Sequence, residues 1–170
     1  MNNWIILGLQ SGVSTIAYSL IFFWYVLPRV SKLSFEDAIL PMLLVHVFRF
    51  AGFTLLVVGQ VDPSVSRDVL SAIAYGDLLA AIAALVAALA LRAKSSLAVP
   101  LIWIFTIISF VDLANVGRVA ISVDLFNNYV GVMWLVAIAF FPMVLISQLY
   151  IVYRLFNQES AILKTGTATA

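Results

Sequence analysis

The sequence predicts an all-α fold, a polytopic transmembrane bundle of five helices, and three observations carry that expectation. Hydrophobic residues make up 64% of the 170-residue chain and charged residues 10%, with a mean hydropathy of +1.13, whereas a soluble domain is about half apolar and a quarter charged. Five apolar segments each reach the roughly 20 residues that a helix needs to cross about 30 Å of hydrocarbon. The connectors between them are short and hold residues that cap or end helices.

In chain order the expected spans are 4–27, 37–59, 68–91, 97–121 and 129–156. Trp4 to Leu27 is too long and lacks the basic leader of a signal peptide, so it reads as a retained span, closed by Pro28. Ser34 is positioned to cap the second segment, Ser66 the third, Ser95 or Ser96 the fourth and Asn128 the fifth. Pro41 and Pro100 are read as first-turn residues, and Pro142, inside the fifth span, is expected to kink it. Short connections make successive helices antiparallel neighbours. Gly8 and Gly12 form a small-xxx-small pair, and Gly76, Ala80, Ala84 and Ala88 repeat small residues along the third span, both patterns that let helices approach closely. Residues 1–157 form one transmembrane domain, followed by a small, polar cytoplasmic tail, 158–170, expected to be disordered.

Charge sets orientation and excludes several functions. Arg29, Lys32, Arg92, Lys94, Arg154 and Lys164 flank one side and only Arg67 and Arg118 the other, so by the positive-inside rule the N-terminus lies outside and the C-terminus in the cytoplasm. A net charge of +1 gives no surplus for steering nucleic acid or acidic substrates. Without cysteine there is no disulfide, thiolate metal site or thiol redox chemistry. No nucleophile elbow, phosphate loop or HExxH pattern occurs, so no catalytic residue is assigned. A lone histidine makes neither a zinc nor a haem site, and no metal or cofactor is expected.

The informative residues are polar ones inside the spans. At about 1.5 Å per residue, Arg49, Asp77 and Asp112 all lie roughly 14–15 Å below the outer boundary, on three different helices. His46 lies one turn deeper on the face of Arg49, Gln10 somewhat shallower, and Asn115 extends from Asp112 toward Arg118. A charge at mid-bilayer costs about 2.5–3.5 kcal/mol on insertion scales, so these groups must face the interior and find partners. An arginine fork can bridge two carboxylates, and Arg49 is expected to meet Asp77 and Asp112 together. Two acids against one obligatory cation leave room for one extra proton, shared between an aspartate and His46. Gln10, Ser11, Ser14 and Tyr18 form a polar stripe on the first helix, and Gln148 is placed near the inner interface.

The pattern "LVHVFRFAGFTLLVVG" followed by "AYGDLLAAIAAL" resembles a group of small, uncharacterised (hypothetical) five-helix bacterial inner-membrane proteins. The likeness runs from Trp4 to Phe156 and implies a bacterial inner-membrane location and no established activity. Two functional readings follow from the residues. In the first, His46, Arg49, Asp77, Asp112, Asn115 and Gln10 form a site that binds or transports a proton, ion or small ligand entering from the outer side. In the second, the cluster is a structural ion-pair staple in a non-catalytic membrane subunit or scaffold. The partners expected are the lipid bilayer, a small ligand or proton, and a homo-oligomer or larger membrane complex, with no nucleic acid.

Overall fold

A computed structural model describes the backbone of residues 2–167 and the side chains of residues 2–157. The chain is helical, with no strand among the described residues. Five helices are long and apolar enough to cross a membrane: α1, Asn3–Val30; α2, Phe35–Leu56; α3, Arg67–Arg92; α4, Ala98–Ser122; and α5, Met133–Asn157. The backbone helix of α5 runs on to Thr167. The tail expected to be disordered, 158–170, lies outside the residues whose side chains are described. Trp4, Leu56, Arg67, Ser122 and Met133 mark one end of the bundle, here the near end; Val30, Phe35, Arg92, Ala98 and Asn157 mark the far end.

The expected caps form at two of four helix starts. Ser34 accepts from the Asp37 amide and Ser66 from the Asp68 amide; Ser95 Oγ accepts from Leu97 N in the turn ahead of α4, but the helix itself starts after Leu97 with no side-chain cap. Asn128 does not cap α5. The helix starts later, after Gly131 in the left-handed region at φ 49°, and the donor Val132 N meets Gln60 Oε1 of the α2–α3 connector. A Cβ at Gly131 would stand 2.6 Å from that same oxygen. Glycine therefore serves both the backbone angle and the close approach.

Two prolines leave a common signature. Pro28 does not close α1, which continues to Val30 through a π turn at Phe22–Val26. The expected distortion at Pro142 takes the same form, a π turn at Val136–Phe140. Each proline stands two residues after the wide turn, and the missing proline N–H is absorbed by that local widening. Pro41 lies within the α2 helix, not in its first turn.

The hydrophobic interior is divided in two. Toward the far end, Ile39, Leu43, Ala84, Ala88, Ile102, Phe105, Ile151 and Leu155 pack together; toward the near end, Leu55, Ile73, Val119, Leu125 and Val130 form a second group. Ala80, Ala84 and Ala88 are buried as expected, along with Ala81 and Ala87. Gly8 and Gly12 are different: both are exposed, and nothing lies within 4 Å of a Cβ built on either. Only Leu7 of α1 is buried over Asn3–Ile21. This helix is held at its tip, where Trp4 Nε1 donates to Asp124 Oδ1 at 2.6 Å and the Asn3 amide to Asn127 Oδ1 at 3.2 Å.

Candidate functional site

Between the two hydrophobic groups lies a charged layer, and local winding builds it. From Phe48 to Leu56, α2 tightens into a 3-10 helix. Its three-residue repeat aligns Arg49, Gly52 and Leu55 on one edge, and these are the buried residues of the segment. From Leu56 the 3-10 rise of about 2.0 Å per residue places Arg49 roughly 14 Å deep. Asp77 on α3 and Asp112 on α4 arrive at the same level on ordinary α-helix.

Arg49 uses all three of its nitrogens. Nε donates to Asp77 Oδ1 at 2.9 Å and Nη1 to Ser109 Oγ at 2.9 Å, while Nη2 donates to Asp112 Oδ2. One guanidinium thus joins α2 to α3 and α4 through two ion pairs and a hydroxyl, the arrangement that the fork geometry of arginine permits and lysine does not. The second oxygen of each carboxylate rests against a glycine. A Cβ at Gly52 would run into Asp77 Oδ2, and one at Gly76 into Asp112 Oδ1. The layer therefore interlocks, with α2 supplying Arg49 and the bed for Asp77, and α3 supplying Asp77 and the bed for Asp112.

A cavity of about 300 Å3 runs from the near end, beside Trp4 and Phe126, down to Arg49, Gly52 and Asp77. Its wall is otherwise almost wholly apolar. Ser11 is the other polar residue on it besides Trp4, and Ser11 Oγ already donates to the Ala137 carbonyl at 3.5 Å while the Trp4 indole is bound to Asp124. The acids are unequally placed. Asp77 lines the cavity with 18% of its side chain accessible, Asp112 does not line it and is 6% accessible, and Arg49 is sealed to 2%.

Three residues of the expected site stand apart from this layer. His46 is fully buried but turned toward α5, with Nε2 3.1 Å from Ser147 Oγ and its ring edge-on to Phe105 at 4.9 Å. Its hydrogen bond goes to α5 and not to an aspartate, so the geometry offers no direct proton sharing between His46 and the acids. Asn115 accepts from Arg118 Nη2 at 2.9 Å near the surface. Gln10, exposed on α1, accepts from Trp134 Nε1 at 2.8 Å. Of the polar stripe on α1, Ser11 alone reaches the cavity.

Other participants had weak signals in the sequence. Ser109 is one helical turn before Asp112 and shares its side of α4, a spacing that would have found it. Gly52 and Gly76 could be noticed only as glycines, since nothing local says what they face. Gln148 is fully buried, with neither amide atom bonded to a described residue, and Thr106 Oγ1 and His46 Nδ1 are likewise unpaired. Gln148 therefore faces the inside of the bundle. Among the described residues no group of three or more His, Asp or Glu is placed to hold a metal ion.

A family model described as a domain of unknown function (DUF8737) matches residues 6–156. No curated protein and no solved structure matches the chain.

Proposed function

The chain belongs to this family, and we propose that it is a five-span membrane protein that binds a small ligand in the cavity ending on Asp77 and Arg49. The carrying observation is the cavity itself. Its volume of about 300 Å3 reaches the range of small-molecule sites, which are mostly apolar with a few polar groups placed to orient a ligand. Ionisable groups in a membrane interior mark functional sites by default because their burial is costly, and here one of them faces open space.

Orientation follows the basic residues. The far end carries Arg29, Lys32, Arg92, Lys94 and Arg154, and the near end Arg67 and Arg118, so the near end and the cavity mouth face outside and the far end faces the cytoplasm. The bacterial inner membrane is supported by the sequence resemblance alone. A single cysteine at Ser64 is expected to react with an impermeant maleimide added to intact cells, and one at Ser31 only after permeabilisation. The reverse pattern would invert the protein.

The second reading, a structural staple in a scaffold or subunit, is favoured by the use of all three Arg49 nitrogens within the layer. Both readings expect Arg49→Leu to destabilise the fold by about 3–5 kcal/mol, because it strands buried acids without their cation. Only the binding reading expects a ligand. Thermal melts in detergent against a library of small molecules, run on the wild type and on Ala137→Phe, which fills the cavity, separate them. A bound compound at a hundred times its Kd should add about 2.7 kcal/mol to the wild type and nothing to the filled variant. A library in which no compound distinguishes the two proteins leaves the staple.

A further inference from the structure

We propose that the ligand class is a lipophilic monocation, an apolar body with one ammonium head that sits at Asp77 and competes there with a proton. The inference rests on the binding reading above and concerns what the cavity selects. Its first ground is the charge count of the layer. Arg49 faces Asp77 from α2 and Asp112 faces it from α4, one cation against two acids. His46 is bonded to Ser147 and does not line the cavity, Arg118 is exposed and bonded to Asn115, and neither α1 nor α5 brings a charged residue to the wall. One negative charge therefore lacks a protein counter-ion, and in a low-dielectric surround it must be neutralised by a proton or by a bound cation.

The second ground is which atoms the cavity presents. Each nitrogen of Arg49 already donates one hydrogen bond within the layer and its side chain is almost inaccessible, so an anionic head in the cavity would meet little of the guanidinium. Asp77 is the more accessible partner. Arg49 takes its Oδ1, and Oδ2, which lies beside Gly52, has no hydrogen bond from a described residue. The floor of the cavity is an acceptor with negative charge, which an ammonium donor complements.

The third ground is the wall. Phe126, Phe140 and Phe141 and a set of aliphatic side chains line it, and an apolar cavity of this kind favours an apolar occupant over water. At about 30 Å3 per atom-sized unit, the share of one water in the liquid, a 300 Å3 space holds a body of roughly ten non-hydrogen atoms. A hydrated inorganic ion would lose its water shell there for a single carboxylate oxygen.

The test uses three probes of similar size on the full chain in detergent: 2-phenylethylammonium, neutral propylbenzene and phenylacetate. The expected result is tightest binding of the ammonium, release of about one proton per ammonium bound below the site's titration midpoint, and an apparent Kd that rises there about tenfold for each unit by which the pH is lowered. Asp77→Asn should remove the preference for the ammonium while keeping propylbenzene, and Ala137→Phe should remove both. Equal binding of ammonium and propylbenzene, or preference for the carboxylate, overturns the monocation proposal and leaves the cavity a ligand site. If no probe of any charge binds the wild type, both the monocation and the binding reading fall. Should Asp77→Asn not fold, the contrast among the three probes on the wild type, with the proton count, decides alone.

Discussion

Each acid that meets Arg49 leans on a glycine of the neighbouring helix, Asp77 on Gly52 and Asp112 on Gly76. A methyl group at either glycine would occupy the space of the carboxylate, so the acid would have to leave its cation or the helices would have to part. Overpacking of this kind costs about 1–3 kcal/mol, and a broken buried pair costs more. Gly52→Ala and Gly76→Ala are therefore expected to destabilise by about 2 kcal/mol or more. Gly8→Ala and Gly12→Ala meet nothing within 4 Å, and should be neutral or stabilising by up to about 1 kcal/mol, the helix preference for Ala over Gly. Thermal melts of the four variants in one detergent check the contrast; four equal midpoints would put the acids elsewhere. Gly8 and Gly12 show the stronger packing motif in the sequence, yet they face outward. A motif reports that close approach is permitted, and the neighbour that would use it is set by how the helices are arranged.

The helices differ in how much of their form is local. The small-residue stripe of α3 was legible because the same face repeats every turn, and Ala84 is 0% exposed while Val86 is 45% exposed. Ala84→Phe should accordingly cost about 1–3 kcal/mol by overpacking, whereas Val86→Phe should stay within about 0.5 kcal/mol. Comparable yields and melting temperatures for both variants would mean that the stripe does not face the bundle. The tight winding of Phe48–Leu56 was not legible, since "FRFAGFTLL" holds no proline and a Gly or Thr inside an apolar helix does not by itself announce a change of winding. The 3.0-residue repeat has its effect through tertiary contacts, by keeping Arg49, Gly52 and Leu55 all toward the bundle interior. Gln148, with both amide atoms unpaired in the interior, makes a further case. Since an unpaired buried polar group costs about 1–3 kcal/mol, Gln148→Leu is expected to raise stability by about 1 kcal/mol, and a fall in the melting temperature would show that the amide has a partner in the working protein.

Across the molecule, a charged layer joins α2, α3 and α4 between two apolar groups, while α1 covers the cavity and is pinned at its tip. That pin is sensitive to acid. The Asp124 carboxyl is held below its ordinary range, first by the Asn127 amide and then by the Trp4 indole. A depressed carboxyl contributes stability that is present above its unfolded pKa of about 4 and is lost as pH falls through its folded value. Emission from Trp4, with Trp24, Trp103 and Trp134 changed to Phe, should therefore hold steady from neutral pH down to about 4 and change only below it. The same transition should be missing in Asp124→Asn, and a midpoint near neutrality would assign the response to another group. Five long apolar helices and the common level of Arg49, Asp77 and Asp112 along them were legible from residue order, because bilayer thickness, helix rise and the cost of a buried charge act on every sequence alike. The division of those polar residues was not. Arg49 joins both acids, His46 turns to Ser147, and Gln10 and Asn115 bond outside the layer, because side-chain direction depends on helix rotation and winding, and these are set by the packing of all five helices together.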